Sequence, residues 1–369
     1  MQRHASGRLL NILSGLLCAA LLCGASGAAL AAPALSGGVI RDLNAVEQAL
    51  EQGRVAYVAK HAESQAERFS AGNAADRYAS ALYRQLVAGA LAQQQRYADA
   101  ASQLAKAQQS VGAGTAQARR WLREEARLHH AAGQYDQAIT RLGQWLEASA
   151  SGADSQAERW RLVGWLAREK RWEDAATQLD KAREHGEPSD AEQRELTLAV
   201  DINAGRMHKA LGGLVAELSA DSGAAVWRKA AGVAQRAGQP GVAAGIWDTG
   251  WRLGKLERPA DYWQLMNLHL TGGTPARAAE LLAQGLSRGE VVRSALTLRL
   301  LADAWQQARE PSHALAAQRA LAQHTQSANE WRTLGQLAYA WGEDARAKSA
   351  FERAVALGDT QAETWLADF

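Results

Sequence analysis

The stretch ANEWRTLGQLAYAWGEDARAKSAFERAVALGDTQ, residues 328–361, decides the fold. Trp331, Leu334, Gly335 and Ala338 fall on one face of a helix predicted from about Asn329 to Trp341. Ala347, Phe351 and Ala354 fall on one face of a second, from about Asp344 to Leu357. Gly342 separates the two and Gly358 follows, each placed to take the left-handed conformation that ends a helix. Ser327-x-x-Glu330 reads as a capping box opening the first helix. Gly335, Ala338 and Ala347 are small where two antiparallel helices touch. Trp331, Leu334 and Phe351 are large where the pair must bury area.

The same template runs backwards through the chain. The place of Trp331 is taken by Leu298, Trp263, Trp227, Glu195, Arg159, Leu122 and Arg84, at spacings of 32 to 38 residues. The small residue of the second helix recurs as Ala314, Ala279, Ala243, Leu211 or Ala210, Ala175, Ala138 and Ala100. The place of Phe351 is taken by Gln318, Ala283, Trp247, Val215, Leu179, Leu142 and Leu104. The Trp, Leu-Gly, Ala, Phe series over a period near 34 residues resembles the tetratricopeptide repeat (TPR). Ala338 stands where that family prefers Tyr, and Asp359 where it prefers Pro. The resemblance implies an all-α, TPR-type α-solenoid, a right-handed superhelix of antiparallel helix pairs. About eight pairs are expected across residues 76–361.

Ahead of them, 32–75 reads as a leader and a helical N-terminal cap. Leu43, Val46 and Leu50 share a face on one of its helices, and Val55, Val58, Ala62 and Phe69 lie along the other. Behind the array, 362–369 reads as a truncated capping helix, preceded by the capping box Thr360-x-x-Glu363. It either covers the last groove or offers Trp365 and Phe369 as a docking tip. No loop is long enough to separate domains, so one continuous array is expected.

Composition agrees with helix: only 6 Pro and 3 Phe in 369 residues. A net charge of +2 gives no reason to expect a nucleic-acid binder, which usually carries a clustered basic face. The 13 Trp all lie between Trp121 and Trp365 and read as knobs of inter-helix packing. Residues 1–31 read as a secretory signal peptide. Arg3, His4 and Arg8 precede the apolar Leu9–Leu22, and Ala29-Leu30-Ala31 is a small-x-small cleavage site. Cleavage after Ala31 removes Cys18 and Cys23, the only cysteines, leaving no thiol chemistry and no disulfide. A Leu immediately before each Cys argues against lipidation. The expected location in a Gram-negative cell is the periplasm, with no membrane insertion of the mature chain.

No catalytic constellation is legible. His129 and His130 are adjacent and diverge on a helix, and neither His-x3-His nor His-Glu-x-x-His occurs among the nine His. Gly112-x-Gly114 lacks the strand and Lys of a phosphate loop. Acidic residues alternate with Arg and Lys in the manner of solvated faces. No enzyme, cofactor or metal is expected.

What remains is a surface. In TPR arrays the first helices of successive repeats line a concave groove that binds peptides, and the residue after the anchor faces it. Here that residue is Arg123, Arg228, Arg299 and Arg332, with Gln336 one turn beyond the last, while Gln85, Leu196 and Gln264 interrupt the series. These five are the candidate partner-binding residues, and the resemblance implies an acidic ligand. A narrower resemblance spans Asp261 to Gly358, through Tyr262–Leu270, Ala278–Leu282, Leu300–Trp305 and Leu334-Gly335. It looks like the periplasmic TPR proteins that accompany TonB–ExbB–ExbD systems. It implies a partner-binding accessory of TonB-dependent outer-membrane uptake. A scaffold for cell-envelope assembly is the second reading, and a solenoid hydrolase with a concealed site the third.

Overall fold

The computed structural model describes residues 32–112, 114–149, 152–367 and 369; the expected signal segment lies outside them. Nineteen helices and no strand occur among the described residues. They fall into two compact units dividing after Ala204. The first holds α1 (Gly37–Glu51), α2 (Val55–Phe69), α3 (Ala74–Gln93), α4 (Tyr97–Val111), α5 (Ala116–Ala131), α6 (Tyr135–Glu147), α7 (Ala153–Arg168), α8 (Trp172–Arg183) and α9 (Ala191–Asn203). The second holds α10 (Met207–Glu217), α11 (Ala224–Arg236), α12 (Pro240–Arg252), α13 (Pro259–Thr271), α14 (Pro275–Arg288), α15 (Ala295–Gln307), α16 (Pro311–Thr325), α17 (Ala328–Ala340), α18 (Asp344–Ala356) and α19 (Thr360–Leu366). Within each unit every helix packs on the next, so the architecture is a series of helical hairpins.

One turn closes these hairpins. The second residue past the first helix is left-handed: Gly53, Gln95, Gly133 and Lys170 in the first unit, Gly238, Gly273, Arg309 and Gly342 in the second. The next amide then donates to the carbonyl five residues back, as from Arg96 to Leu91, Gln239 to Ala234 and Glu343 to Ala338, each at 2.9 Å. This is the 6→1 bond of a Schellman end, which satisfies a carbonyl the helix itself leaves open. The pair α1–α2, which shows no repeat signature in sequence, closes with the same bond, Arg54 to Ala49 at 2.9 Å.

Close packing after the turn sets the second repeated feature. Outside α2, which carries buried Val58 there, the fourth residue of each following helix is a buried Ala: Ala100, Ala138 and Ala175 in the first unit, and Ala210, Ala243, Ala278, Ala314 and Ala347 in the second. The template thereby shifts by one in two places. Ala278 rather than Ala279 occupies this position, although both are buried, and Ala210 rather than Leu211. Sixteen residues before Ala278 stands Tyr262, buried, its hydroxyl donating to the Leu281 carbonyl. Trp263, aligned as the anchor from sequence, points away from the core and is exposed. Arg194 likewise replaces Glu195 as the aligned residue, and neither is buried.

The last repeat is packed as its residue sizes require. Trp331, Leu334, Gly335, Ala338, Ala347 and Phe351 are all buried. A Cβ on Gly335 would lie 2.5 Å from Phe351 Cε1, so only glycine lets the ring through. In α11–α12, Trp227, Ala243 and Trp247 are buried in the same places. Neither expected capping box at this end forms. Ser327 makes no side-chain cap bond, and Glu330 is taken by other partners. Asp359, not Thr360, caps α19, accepting from the amides of Gln361 and Ala362. Trp365 stacks on Phe351 at 5.5 Å between centroids, and Tyr339 meets Trp365 and Phe369 edge-on. This aromatic end covers the last pair.

Candidate interaction surface

The four arginines placed by the template do lie on first helices, at the position after the anchor, but each is engaged within the chain. Arg228 donates through Nε and Nη2 to both oxygens of Asp261, at 3.0 and 2.7 Å. Arg299 pairs with Glu330. Arg332 donates to Asp359 at 2.9 Å and to Asn329 at 2.6 Å. In the first unit Arg123 lies 3.6 Å from Asp154, with its guanidinium 5.3 Å from the centroid of the Trp145 ring. Gln336 is half-buried one turn beyond Arg332.

The acceptors share a location as well. Asp261 and Glu330 immediately precede the anchors Tyr262 and Trp331 of the next pair, and both are buried. Asp359 opens the helix that follows α18. Arg228, Arg299 and Arg332 therefore each tie their own first helix to the next one, and at Asp261 and Glu330 a charged hydrogen bond replaces the hydration of a buried carboxylate. The first unit varies the device. Trp121 Nε1 donates to Gln85 at 2.8 Å, and Arg127 pairs with buried Glu158. At Asp261 the guanidinium of Arg228 first, then Arg258, holds the carboxyl far below the usual carboxylate range against the opposing effect of burial. Arg332 similarly lowers Asp359 against burial.

One place in the second unit breaks the series. Between Arg228 and Arg299 the same template position carries Trp263, 42% exposed. Immediately before the next anchor, Leu298, stands buried Thr297 in place of an acid, while Val292 and Leu296, close to it in sequence, are 79% and 67% exposed. Asn267 lies one turn beyond Trp263 and is exposed, as is Asp303 one turn beyond Arg299. The helices α13 and α15 and the loop before α15 thus expose large apolar side chains as well as an amide and a carboxylate, while Arg228, Arg299 and Arg332 are ion-paired within the chain. A template that puts Trp263 at the buried anchor hides this exposure, since the buried ring is that of Tyr262.

Among the described residues no group of three or more His, Asp or Glu is arranged to hold a metal ion. No described helix is long and apolar enough to cross a membrane. Two buried polar clusters are internal to the packing. Glu125 accepts from Gln108 at 2.6 Å and from Arg141 at 2.8 Å, with His129 at 3.5 Å. Asp248 faces Arg252, Arg277 and His269.

No family model matches the chain, and no curated protein matches it. Solved structures with partial likeness are helical-repeat proteins. A tetratricopeptide repeat protein from Parabacteroides merdae is 15% identical, covering 68% of this chain and 98% of its own, with a TM-score of 0.32. The TPR domain of P58(IPK) is 15% identical, over 90% of this chain and 97% of that one, with a TM-score of 0.27. The pentatricopeptide repeat protein PPR10 from maize is 15% identical, over 86% and 54%, with a TM-score of 0.31. The hairpin architecture described above rests on the helix pairing of this chain itself.

Proposed function

We propose that the chain is a non-enzymatic scaffold that binds an extended segment of another protein along the first helices of its second unit. The observation that carries this reading is the exchange of an ion-paired arginine for exposed Trp263 at a template position that holds internal salt bridges in α11 and α15. Large apolar side chains that leave the core although buriable are what a binding patch looks like, and Trp is the residue that most often dominates an interface. The test is capture of partners by the mature chain from envelope extracts, compared with Trp263→Ala, Leu296→Ala and a distant exposed control, Val215→Ala. Loss with the first two and retention with the third is expected. Equal capture by all four sinks the reading.

Residues 1–31 support export, and we propose a periplasmic protein cleaved after Ala31; N-terminal sequencing of exported material decides, retention of Met1 counting against it. The narrower sequence resemblance supports an accessory role beside a TonB–ExbB–ExbD complex. Recovery of envelope-assembly proteins, in place of those components, would move the assignment to cell-envelope assembly.

A further inference from the structure

We infer that His269 is a proton-operated latch in the second unit: once protonated, it draws the Asp248 carboxylate from Arg277 and breaks the ion pair that ties α14 to α12. Asp248 lies on α12, His269 on α13 and Arg277 on α14, each helix packed on the next. Thr274 Oγ1 donates to the His269 carbonyl at 3.2 Å, so in the neutral ring Nδ1 carries the proton and donates to Thr274 at 2.8 Å. Nε2 is left with a lone pair, 4.0 Å from Asp248 Oδ1. Both atoms are buried, and neither has a hydrogen-bond partner. Two acceptors thus stand across a gap that a proton on Nε2 closes. Arg252, on the helix of Asp248, pairs with the other oxygen. Arg277 reaches Oδ1 only at 3.6 Å, longer than a hydrogen bond, and already donates to Glu280 on its own helix at 3.1 Å. It has a partner to fall back on when Asp248 turns to the imidazolium.

The charges around the ring set the direction of the response. From α12 it feels Asp248 and Arg252, and from α14 Arg277 and Glu280. Burial holds the imidazole below its ordinary value; Asp248 opposes this, and Arg277 and Arg252 add to it. The ring is therefore neutral at pH 7, and acid favours states that open it to water. Loss of the Arg277 contact makes α14 the helix that yields. His129 supplies the contrast from the same template position in α5. Its Nδ1 meets Gln134 at 2.7 Å, and its Nε2 lies 3.5 Å from Glu125, four residues earlier on the same helix. Glu125 is already bonded by Gln108 of α4 and Arg141 of α6. A proton on His129 adds a donor within α5 and displaces no pair between helices, so α6 keeps its tie in acid.

Hydrogen exchange of the mature chain at about pH 7.5 and about pH 5, on either side of the ordinary histidine value, tests the latch once rates are corrected for the intrinsic pH dependence of amide exchange. Wild-type protection of α14 is expected to fall in acid by about 2- to 5-fold relative to α6, the range set by loss of one partly exposed ion pair. His269→Gln removes the titration, and Arg277→Gln removes the contact that the proton breaks. Arg277 is partly exposed, so the second variant folds even where the first does not. In both, protection of α14 relative to α6 should be the same at the two pH values, and in Arg277→Gln it should already be low at neutral pH. A wild-type α14 that loses no more protection than α6 overturns the latch. A loss that persists in His269→Gln also overturns it, because the proton then acts elsewhere. So does a loss that persists in Arg277→Gln, because α14 then loosens without Asp248 changing partner.

Discussion

Replacing Asp261 by Asn separates the two roles open to the arginines, since it removes a charge and almost no volume. The carboxylate accepts from Arg228 at 2.7 and 3.0 Å, from Arg258 Nε and Nη2 at 3.2 and 3.0 Å, and from the Arg258 amide at 3.1 Å. Asn offers one acceptor oxygen and turns an NH2 towards guanidinium donors, leaving two cations facing each other. Breaking a fully buried pair costs about 3–5 kcal/mol. Here Asp261 is buried but Arg258 is largely exposed, so water recovers part of that, and about 2–3 kcal/mol is expected. The assay is urea unfolding at neutral pH with a double-mutant cycle against Arg228→Gln. Hydrogen exchange of α11 and α13 is read alongside, because repeat arrays open by neighbouring units. Acid gives a second arm. The folded-state carboxyl is depressed, so its stabilisation is present above the unfolded value, about 3.9, and is lost as pH falls through the folded value. Asp261→Asn should therefore converge on wild type in acid. A variant as stable as wild type at pH 7, with no coupling to Arg228→Gln, would refute the rung. The arginine would then be free for a ligand.

Gly335→Ala drives a methyl into the Phe351 ring, 2.5–2.8 Å from three of its carbons. A loss of about 1–3 kcal/mol is expected in thermal or urea unfolding. Gly342→Ala keeps open space around the new methyl but forces it to φ 75°, costing about 1–2 kcal/mol, whereas the exposed control Gly37→Ala should change little. His129 and His269 occupy one template position and should respond oppositely to pH. The Glu125 contact raises His129 above its ordinary value, so its stabilisation is present below about pH 6.5 and fades as pH rises through the folded value. Burial lowers His269, which folds neutral, so acidification through pH 6.5 should weaken wild type relative to His269→Gln. Melts of both Gln variants from pH 8 to 5 check the pair, and parallel curves would refute the assignment.

The last repeat was legible because size and spacing agree at six positions at once, and the buried Trp331–Phe351 set follows from them. The Tyr262-Trp263 pair shows where that logic fails. Either ring can fill an anchor, so residue type cannot set the register; the turn can. Tyr262 stands eleven residues before Gly273, as Trp331 stands eleven before Gly342 and Trp227 eleven before Gly238. Counting from the left-handed residue would have placed Trp263 on the surface. The rungs were half legible. An arginine after the anchor is visible in the sequence, and so is the acid before the next anchor, but their meeting spans 33 residues for Arg228–Asp261 and 31 for Arg299–Glu330. Only a repeat of known register brings them together. Once register is fixed, the two errors become one observation. If Trp263 belongs in the core, the arginines are the obvious surface to bind a partner. If it belongs outside, the arginines have their acids, and the residue that breaks their series is the one left with nothing of its own to bury against.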